Sequence, residues 1–496
     1  MRIVLLVCLY SAAINTLLGN ILNVSGNILN VWPMVQHGTW GLFNNTMIIK
    51  TSFVLRCQSG DCPSKTVLDW YQSRLRDSAA TIRTTHTTVS RISMLSTVTI
   101  QITAEKRSKP ATLLLTMNES YSLNCVSLTT LSTECAIEAP ERVGALRALE
   151  TLAHMVHAGP LPLPISIKDF PRFPYRGLLI DSARRFLSIR TIKRILDFML
   201  MTKLNVLHWH LTDTNAFPVQ SKLFPQLSAQ GAYYPSAIYT LDNMTDVVHY
   251  ARERGIRVLP EFDMPGHSSF GLGMPGITIA QCGGTLDPTL DATYSFLKTF
   301  LKEMGTVFED PYIALGGDEV TFTCAATVKM EWLAQHNMTS ADLLSYFWKR
   351  VSNSVLPFLN RTLAVWGTTF LSNLDPNDVP FGTMFNLYTQ LDATLDVTAQ
   401  RGIPAVLSAP YYLDQTQSYR MGPGSKSALG PDSACGTAIS NINEIWKCFY
   451  SSSPIDGVDQ LWASNTSLIL GGEACLWGEG TSSLTIEPQT LTQAPA

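Results

Sequence analysis

The chain has 496 residues, of which 46% are hydrophobic and 15% are charged, so it is long enough for two or three domains with large cores. Its formal net charge of −3 offers no basic surface of the kind that binds nucleic acid. We therefore exclude a nucleic-acid partner and expect a neutral or small substrate.

Residues 1–19 predict a secretory signal peptide. Arg2 precedes an apolar run over residues 3–10, and three small residues follow that run. Asn15 and Asn20 interrupt the apolar character before it could cross a bilayer, so we expect no membrane span. Seven Asn-x-Ser/Thr sequons fit the same secretory route and predict glycosylation, at Asn23, Asn44, Asn118, Asn243, Asn337, Asn360 and Asn465.

Nine cysteines remain once Cys8 is removed with the signal. In an oxidising compartment we expect four disulfides, which leave Cys475 buried and outside them. The expected pairs are Cys57–Cys62, Cys125–Cys135, Cys282–Cys324 and Cys435–Cys448. The alternative that these cysteines bind zinc is disfavoured, because no Cys-x-x-Cys or histidine cluster accompanies them.

The front of the chain, residues 28–167, predicts a small α+β domain. Residues 96–102 and 113–116 have the composition of strands, and residues 142–157 place apolar side chains on one side of a helix. Five prolines between Pro160 and Pro174 predict a stiff connector and a domain boundary.

From residue 170 to residue 496, apolar runs alternate with helical patterns, which is typical of parallel βα units. The eight predicted strands cover residues 177–181, 205–212, 256–263, 312–317, 363–366, 383–388, 405–409 and 472–477. Helices are predicted between them, for example over residues 191–201, 242–254 and 289–307. Eight such units predict a closed (β/α)8 barrel.

Nearly every predicted strand ends in a polar or aromatic residue. These residues are Asp181 with Arg184, Asp213, Asp263 with His267, Asp318 with Glu319, Trp366, Tyr388, Tyr412 with Asp414, and Trp477 with Glu479. In a (β/α)8 barrel the strand tips meet at one rim, where barrel enzymes keep their active sites. Acids and aromatic walls together suit a sugar, which needs flat faces to stack on and paired acceptors for its hydroxyls.

Six motifs in this region resemble, in order, those of the β-N-acetylhexosaminidases of glycoside hydrolase family 20. They are RGLLIDSAR (176–184), HWHLTD (208–213), PEFDMPGH (260–267), GGDE (316–319), SAPYYLD (408–414) and GGEACLWGE (471–479). The front domain resembles the accessory domain of the same family in LNVWPM (29–34), ESYSL (119–123) and GALRALE (144–150).

The resemblance implies an exo-acting, retaining enzyme that removes terminal β-linked N-acetylglucosamine or N-acetylgalactosamine with assistance from the substrate's own 2-acetamido group. It implies that Glu319 is the general acid and base, and that Asp318 and Tyr412 hold the acetamide. Asp213 and His267 are expected to stand behind Glu319 as a relay, with His210 as their supporting neighbour.

The resemblance also assigns the residues that hold the sugar. We expect Arg184, Asp414 and Glu479 to bind hydroxyls, and we expect the pocket walls to be Trp366, Tyr388 and Trp477. No metal or cofactor is expected, because no ligand set or nucleotide loop occurs in the sequence. The expected partner is an oligosaccharide or glycoconjugate, the expected location is the lysosome or the cell exterior, and a homodimer is a further implication.

Residues 480–496 depart from the family. This segment is polar and has no apolar helical face, so we expect a disordered tail and a barrel that lacks its last helix. The alternative function that follows is a catalytically compromised, sugar-binding homologue.

Overall fold

The computed structural model describes residues 35–40, 46–81, 92–105, 112–158, 161–320, 322–367, 379–380, 382–388, 398–408, 411–413 and 466–479. Several sequence-based predictions lie outside these residues: the signal peptide 1–19, Asn23, Asn44, Asn465, the pair Cys435–Cys448, Asp414 and the tail 480–496 with the missing barrel helix. In the part of the chain that is described, no helix has both the length and the apolar character needed to cross a bilayer.

The front of the chain forms a mixed sheet, in agreement with the predicted α+β domain. The sheet has seven strands in the order β1-β7-β4-β5-β3-β2-β6. The strands are β1 His37–Trp40, β2 Thr46–Ser59, β3 Ile92–Ile102, β4 Tyr121–Ser127, β5 Ser132–Ala139, β6 Leu161–Pro162 and β7 Ile165–Asp169. Two helices accompany the sheet, α1 Lys65–Thr81 and α2 Arg142–Ala158. Every second residue of β5 is buried, so one face of that strand packs against the core.

Two predictions for this domain are wrong. Residues 113–116 do not form a strand but turn back, with the Met117 N–H donating to the Leu114 carbonyl at 3.3 Å. The physical reason is that Leu115 packs against the barrel interior rather than against a neighbouring strand. The proline-rich segment is not a plain connector, because it contains β6 and β7 of the front sheet, in which Ile165 and Ile167 are buried.

The second half of the chain closes into a barrel of eight parallel strands in the order β10-β13-β14-β15-β16-β17-β8-β9, which confirms the predicted architecture. The strands are β8 Tyr175–Asp181, β9 Val206–Thr212, β10 Arg257–Phe262, β13 Tyr312–Ala314, β14 Thr362–Trp366, β15 Met384–Leu387, β16 Ala405–Leu407 and β17 Ile469–Leu476. A two-stranded ribbon, β11 Thr278–Ile279 with β12 Thr285–Leu286, lies in the connection after β10.

Helices follow the strands on the outside of the barrel. The α-helices are α3 Ile189–Met201, α4 Gln226–Gly231, α5 Leu241–Glu253, α6 Phe270–Gly273, α7 Asp291–Met304, α8 Ala325–Val328, α9 Met330–Gln335 and α10 Asp342–Ser354. Short 3₁₀ turns cover Pro275–Ile277, Ala280–Cys282, Leu356–Phe358 and Thr466–Leu468. Helix α3 begins where the Ser188 side chain accepts the Thr191 N–H, and α5 begins with a capping box between Thr240 and Asn243.

The barrel interior is divided into layers by the two-residue period of its strands. In β9, Leu207, Trp209 and Leu211 face the helical layer and belong to the main core. The opposite face of the strands supplies a lower, apolar layer inside the barrel, made of Tyr175, Val206, Leu259, Ala314, Ala364, Met384 and Val406. The next residues on this face in β9 and β10, His208, His210 and Glu261, are charged or polar, so the interior becomes polar toward the carboxyl ends of the strands.

Three of the expected disulfides have their sulfur atoms at bonding distance: Cys57–Cys62 at 1.98 Å, Cys125–Cys135 at 2.03 Å and Cys282–Cys324 at 1.94 Å. Cys475 is buried in β17.

Four of the sequon asparagines are described. Asn118, Asn337 and Asn360 are exposed, as glycosylation requires. Asn243 is half-buried, and its side-chain oxygen accepts the Thr240 N–H in the α5 cap.

The two domains meet at a buried carboxylate, Glu119. Its Oε2 atom lies 2.7 Å from the Arg147 Nε atom of the front domain and 2.7 Å from the Arg176 Nη2 atom of the barrel, while Asn205 donates to Oε1 at 2.9 Å. Burial would raise the pKa of Glu119, but the two guanidinium groups outweigh it and lower the pKa to about 2.

We predict that this contact makes the chain sensitive to acid. Because the pKa of Glu119 is lower in the folded state than in the unfolded state, its stabilisation is present above about pH 4.5 and is lost as the pH falls toward 2, a change of roughly 3 kcal/mol. Glu119→Gln should lower the melting temperature at pH 7 and flatten its fall below pH 4.5. Glu138→Gln, an exposed position on the same sheet, is the control and should change neither.

Candidate active site

The loop after β13 carries the two acids on which the site is built. It contains three residues with left-handed backbone, Gly316 at φ 66°, Gly317 at φ 95° and Glu319 at φ 53°. A Cβ atom on Gly316 would lie 1.8 Å from the Asp263 carboxylate, so the close approach admits only glycine there. The non-glycine Glu319 in this conformation is a point of strain of the kind found at functional sites.

Asp318 lies in an enclosed environment. Its Oδ1 atom is buried, and no described residue donates a hydrogen bond to it. Burial raises the pKa of Asp318 to about 6; the charge of His267 opposes this shift and that of Glu261 adds to it. An enclosed acceptor without a donor is the exception in folded proteins, and it marks a place where a ligand N–H can bind.

Glu319 has the opposite environment. Its side chain is 63% exposed, and its Oε2 atom lies 3.3 Å from Nε2 of His267. The other ring nitrogen of His267 lies 3.5 Å from Oδ2 of Asp213. The hydrogen bond with Asp213 outweighs burial and raises the pKa of His267 to about 9, so the ring is an imidazolium beside Glu319.

Arg184 joins three carboxylates at the rim. Its Nη1 atom lies 2.9 Å from Asp181, its Nη2 atom 2.9 Å from Asp213, and its Nε atom 3.0 Å from Glu479. The guanidinium also lies over the Trp477 ring, 5.1 Å from the centroid. Arg184 and Glu479 therefore stand together at one edge of the site, where the sequence placed both.

Aromatic side chains surround the mouth of the barrel. The ring of Trp366 lies 5.5 Å from that of Tyr388, nearly perpendicular to it, and 5.6 Å from that of Trp477. Tyr412 lies 6.4 Å from Trp477 and is held by a backbone bridge to Cys475. The structure thus brings together all the predicted site residues that it describes.

A charged layer beneath these residues was not predicted. Glu261 lies between two histidines, with its Oε2 atom 2.6 Å from Nδ1 of His210 and 3.1 Å from Nε2 of His208, and its Oε1 atom accepts the Trp366 indole N–H at 2.8 Å. Nδ1 of His208 lies 3.1 Å from Oε1 of Glu473. No local pattern points to a role for Glu261 or Glu473. His208 and His210, by contrast, are two residues apart and so share one face of β9, which is a signal that the sequence does carry.

Charge alternation determines the protonation of this layer. Burial would lower the pKa of His208, but Glu473 and Glu261 raise it to about 10. Burial would likewise lower the pKa of His210, and Glu261 and Asp213 raise it well above its usual range. The same histidines hold the pKa of Glu261 well below its ordinary value against burial.

Glu473 is fixed by further neighbours. Its carboxylate accepts from the Tyr175 hydroxyl at 2.5 Å and from the Asn386 amide at 3.1 Å. The absence of a side chain at Gly177 makes room for it, because a Cβ atom there would lie 3.0 Å from the carboxylate and 2.5 Å from the Tyr175 ring.

Two triplets in the described residues, His210 with Glu261 and Asp263, and Asp213 with Asp263 and His267, are close enough together to surround an ion. Both ring nitrogens of His210 already lie within hydrogen-bond distance of carboxylates, Nδ1 at 2.6 Å from Glu261 and Nε2 at 3.0 Å from Asp213, so a metal would have to replace one of these hydrogen bonds. The first triplet therefore does not fit a metal site, and the prediction that the chain needs no metal stays a prediction.

These features define the chain as a glycosidase, a class of enzyme that needs an accessible carboxyl group for proton transfer beside aromatic surfaces that stack on sugar rings. Residues 173–495 match the protein family described as "Glycosyl hydrolase family 20, catalytic domain". Residues 31–155 match the family described as "beta-acetyl hexosaminidase like". The chain therefore belongs to glycosyl hydrolase family 20.

Individual relatives agree with this assignment. β-Hexosaminidase subunit beta of Mus musculus is 34% identical over 420 residues, which cover 80% of this chain and 71% of the relative. The human subunit beta is 36% identical over 374 residues, 71% of this chain and 62% of the relative.

Solved structures share the fold. A chitobiase of Flavobacterium johnsoniae superposes with a TM-score of 0.72 at 23% identity, over 94% of this chain and 68% of that chain. An exo β-N-acetylglucosaminidase of Vibrio harveyi, solved with N-acetylglucosamine, gives a TM-score of 0.71 at 22% identity, over 94% and 72%.

We predict that Gly316→Ala destabilises the folded chain by more than its backbone conformation alone explains. The matched control is Gly283→Ala, because Gly283 has φ 67° but nothing within 4 Å of the added Cβ atom. The control should cost about 1–2 kcal/mol, the price of the left-handed conformation. Gly316→Ala should cost more, because its Cβ atom meets Asp263, and it should lose activity as well. Equal losses in chemical denaturation would contradict the close approach.

Proposed function

We propose that the chain is an exo-acting, retaining β-N-acetylhexosaminidase that cleaves terminal N-acetylglucosamine or N-acetylgalactosamine by substrate assistance. The observation that carries this proposal is the unequal setting of two adjacent acids. Glu319 is accessible and lies beside an imidazolium, whereas Asp318 is enclosed and has an oxygen to which no described residue donates a hydrogen bond. A scheme with one proton-transfer acid and one group that holds the acetamide requires this inequality.

In the proposed first step, the acetamide carbonyl oxygen attacks the anomeric carbon while the glycosidic C–O bond breaks. The leaving oxygen takes the proton of Glu319, and the product is a cyclic oxazolinium ion. Asp318 accepts the acetamide N–H and stabilises the positive charge, while the Tyr412 hydroxyl donates to the carbonyl oxygen. In the second step Glu319 takes a proton from water, which attacks the anomeric carbon from the side of the departed group and restores the acetamide with overall retention.

We propose that the rim holds the sugar hydroxyls. Arg184 and Glu479, paired at 3.0 Å, offer a donor and an acceptor at one edge, and Asp414 is proposed as a further acceptor. Trp366, Tyr388 and Trp477 form the walls against which the acetamide and the ring pack. These assignments need no bound metal or cofactor. We also propose passage through the secretory pathway to the lysosome or the cell exterior, and assembly as a homodimer.

We predict different kinetics for the two acid variants. Glu319→Gln removes the proton donor, so a substrate with a poor leaving group should lose far more rate than an activated aryl glycoside. Asp318→Asn removes the charge that steadies the oxazolinium, which forms whatever the leaving group, so its losses should be similar for both substrates. The measurement is kcat/KM for an alkyl and a nitrophenyl N-acetyl-β-glucosaminide.

The control for this experiment lies in the substrate. A nitrophenyl β-glucoside lacks the internal nucleophile and should be almost inert, although it retains the other hydroxyls. Brisk hydrolysis of the glucoside, or equal leaving-group sensitivity in the two variants, would return the site to a pair of conventional carboxylates. Sugar binding without turnover by the unmodified chain would favour the sugar-binding alternative.

A further inference from the structure

A row of alternating charges connects the barrel interior to Glu319. His267 lies 3.3 Å from Glu319 and 3.5 Å from Asp213, and Asp213 lies 3.0 Å from His210 through the same Oδ2 atom. His210 in turn lies 2.6 Å from Glu261. Each cation therefore stands between two carboxylates, from the buried Glu261 to the exposed Glu319.

Glu261 occupies the buried end of this row. It is fully buried in β10 and is held from three sides, by His210, by His208 and by the indole N–H of Trp366. A carboxylate buried this deeply is costly unless its partners stay charged, and replacing it changes the charge of both histidines.

We propose that Glu261 is a positioning residue for proton transfer at Glu319: it keeps His210 charged, His210 keeps Asp213 ionised and in place, and Asp213 holds His267 against Glu319. The inference rests on the proposed role of Glu319 as the general acid. It gives the buried Glu261 a kinetic function in addition to a structural one.

Charged side chains from five barrel strands or their tips surround this row. They are His208 and Asp213 beside His210, Glu473 from β17, Asp263 and Asp318 from the tips of β10 and β13, and Arg184 with Asp181 from the tip of β8. Burial and the neighbouring Asp318 raise the pKa of Asp263. Glu261 is the carboxylate that faces Nδ1 of His210, while Asp213 faces Nε2.

The test is the pair of kinetic constants, kcat and KM, of Glu261→Gln, measured on the full chain with an aryl N-acetyl-β-glucosaminide. Loss of the negative charge beside His210 weakens the hold of His210 on Asp213, and with it the position of His267 against Glu319. The sugar contacts at the rim stay in place, so the effect should fall on the chemical step. We expect kcat to fall roughly tenfold to a hundredfold, with little change in KM.

Glu473→Gln is the matched control, because Glu473 is also a buried carboxylate paired with a histidine but is separated from His210 by His208 and Glu261. It should lower the melting temperature and reduce kcat far less than Glu261→Gln does. His210→Gln removes the ring that connects Glu261 to Asp213, so it should lower kcat, and the double variant with Glu261→Gln should be no slower than His210→Gln alone.

Nuclear magnetic resonance of ¹⁵N-histidine-labelled chain provides a readout that needs no turnover. The ring of His210 should remain an imidazolium across the neutral range in the unmodified chain and should titrate within it in Glu261→Gln. If the unmodified chain hydrolyses no N-acetylhexosaminide, the proposed function fails. The titration of His210 would still show whether Glu261 keeps that ring charged within the row of alternating charges.

Three results would overturn the inference: unchanged kcat in folded Glu261→Gln, an equal loss of kcat in Glu473→Gln, or unchanged kcat in His210→Gln. The last test decides the matter if Glu261→Gln does not fold.

Discussion

The interaction on which the rest of the site depends is the burial of compensating charges inside the barrel. Glu261, His208, His210 and Glu473 are almost completely shielded from water, and each is tolerated only because its neighbour carries the opposite charge. The closed sheet enforces this proximity, since the inward face of one strand lies next to the inward face of another. The layer is rigid because Trp366, Tyr175 and Asn386 donate hydrogen bonds to its carboxylates.

A second constraint acts above this layer, at the loop that follows β13. The strand ends at Ala314, and the left-handed conformations of Gly316, Gly317 and Glu319 turn the chain sharply over Asp263. As a result, two acids that are adjacent in the chain enter different environments, one enclosed and one exposed. That difference in environment is the basis for the two roles proposed for them, an electrostatic partner in Asp318 and a proton donor in Glu319.

The front domain contributes to stability through a contact of the same kind. Glu119 is buried between Arg147 of the accessory helix α2 and Arg176 at the start of the first barrel strand. A charged contact of this sort resists separation of the domains only while all three groups are ionised, so its strength depends on pH in a way that an apolar interface does not. No described residue of the front domain belongs to the row of alternating charges between Glu261 and Glu319.

The sequence alone determined the architecture. Runs of apolar residues alternating with helical periods indicated eight parallel strands, and all eight occur within a few residues of their predicted bounds. The motifs also indicated which residues stand at the strand tips, because the carboxyl end of a strand can be read from where its apolar run stops. Where a segment packs on a distant element, as Leu115 does against the apolar layer of the barrel, local pattern led to a wrong strand, because the composition of residues 113–116 does not show which distant surface their side chains meet.

Only the tertiary structure decided which charges face one another. His210 and Glu261 are 51 positions apart in the chain, and His208 and Glu473 are 265 apart, so no local spacing relates them. The raised pKa of His208, and the role proposed for Glu261, depend on distances of about 3 Å between buried groups, where two neighbouring carboxylates together outweigh the cost of burial. A sequence specifies that a histidine is present, whereas the closure of the barrel determines which carboxylate it meets.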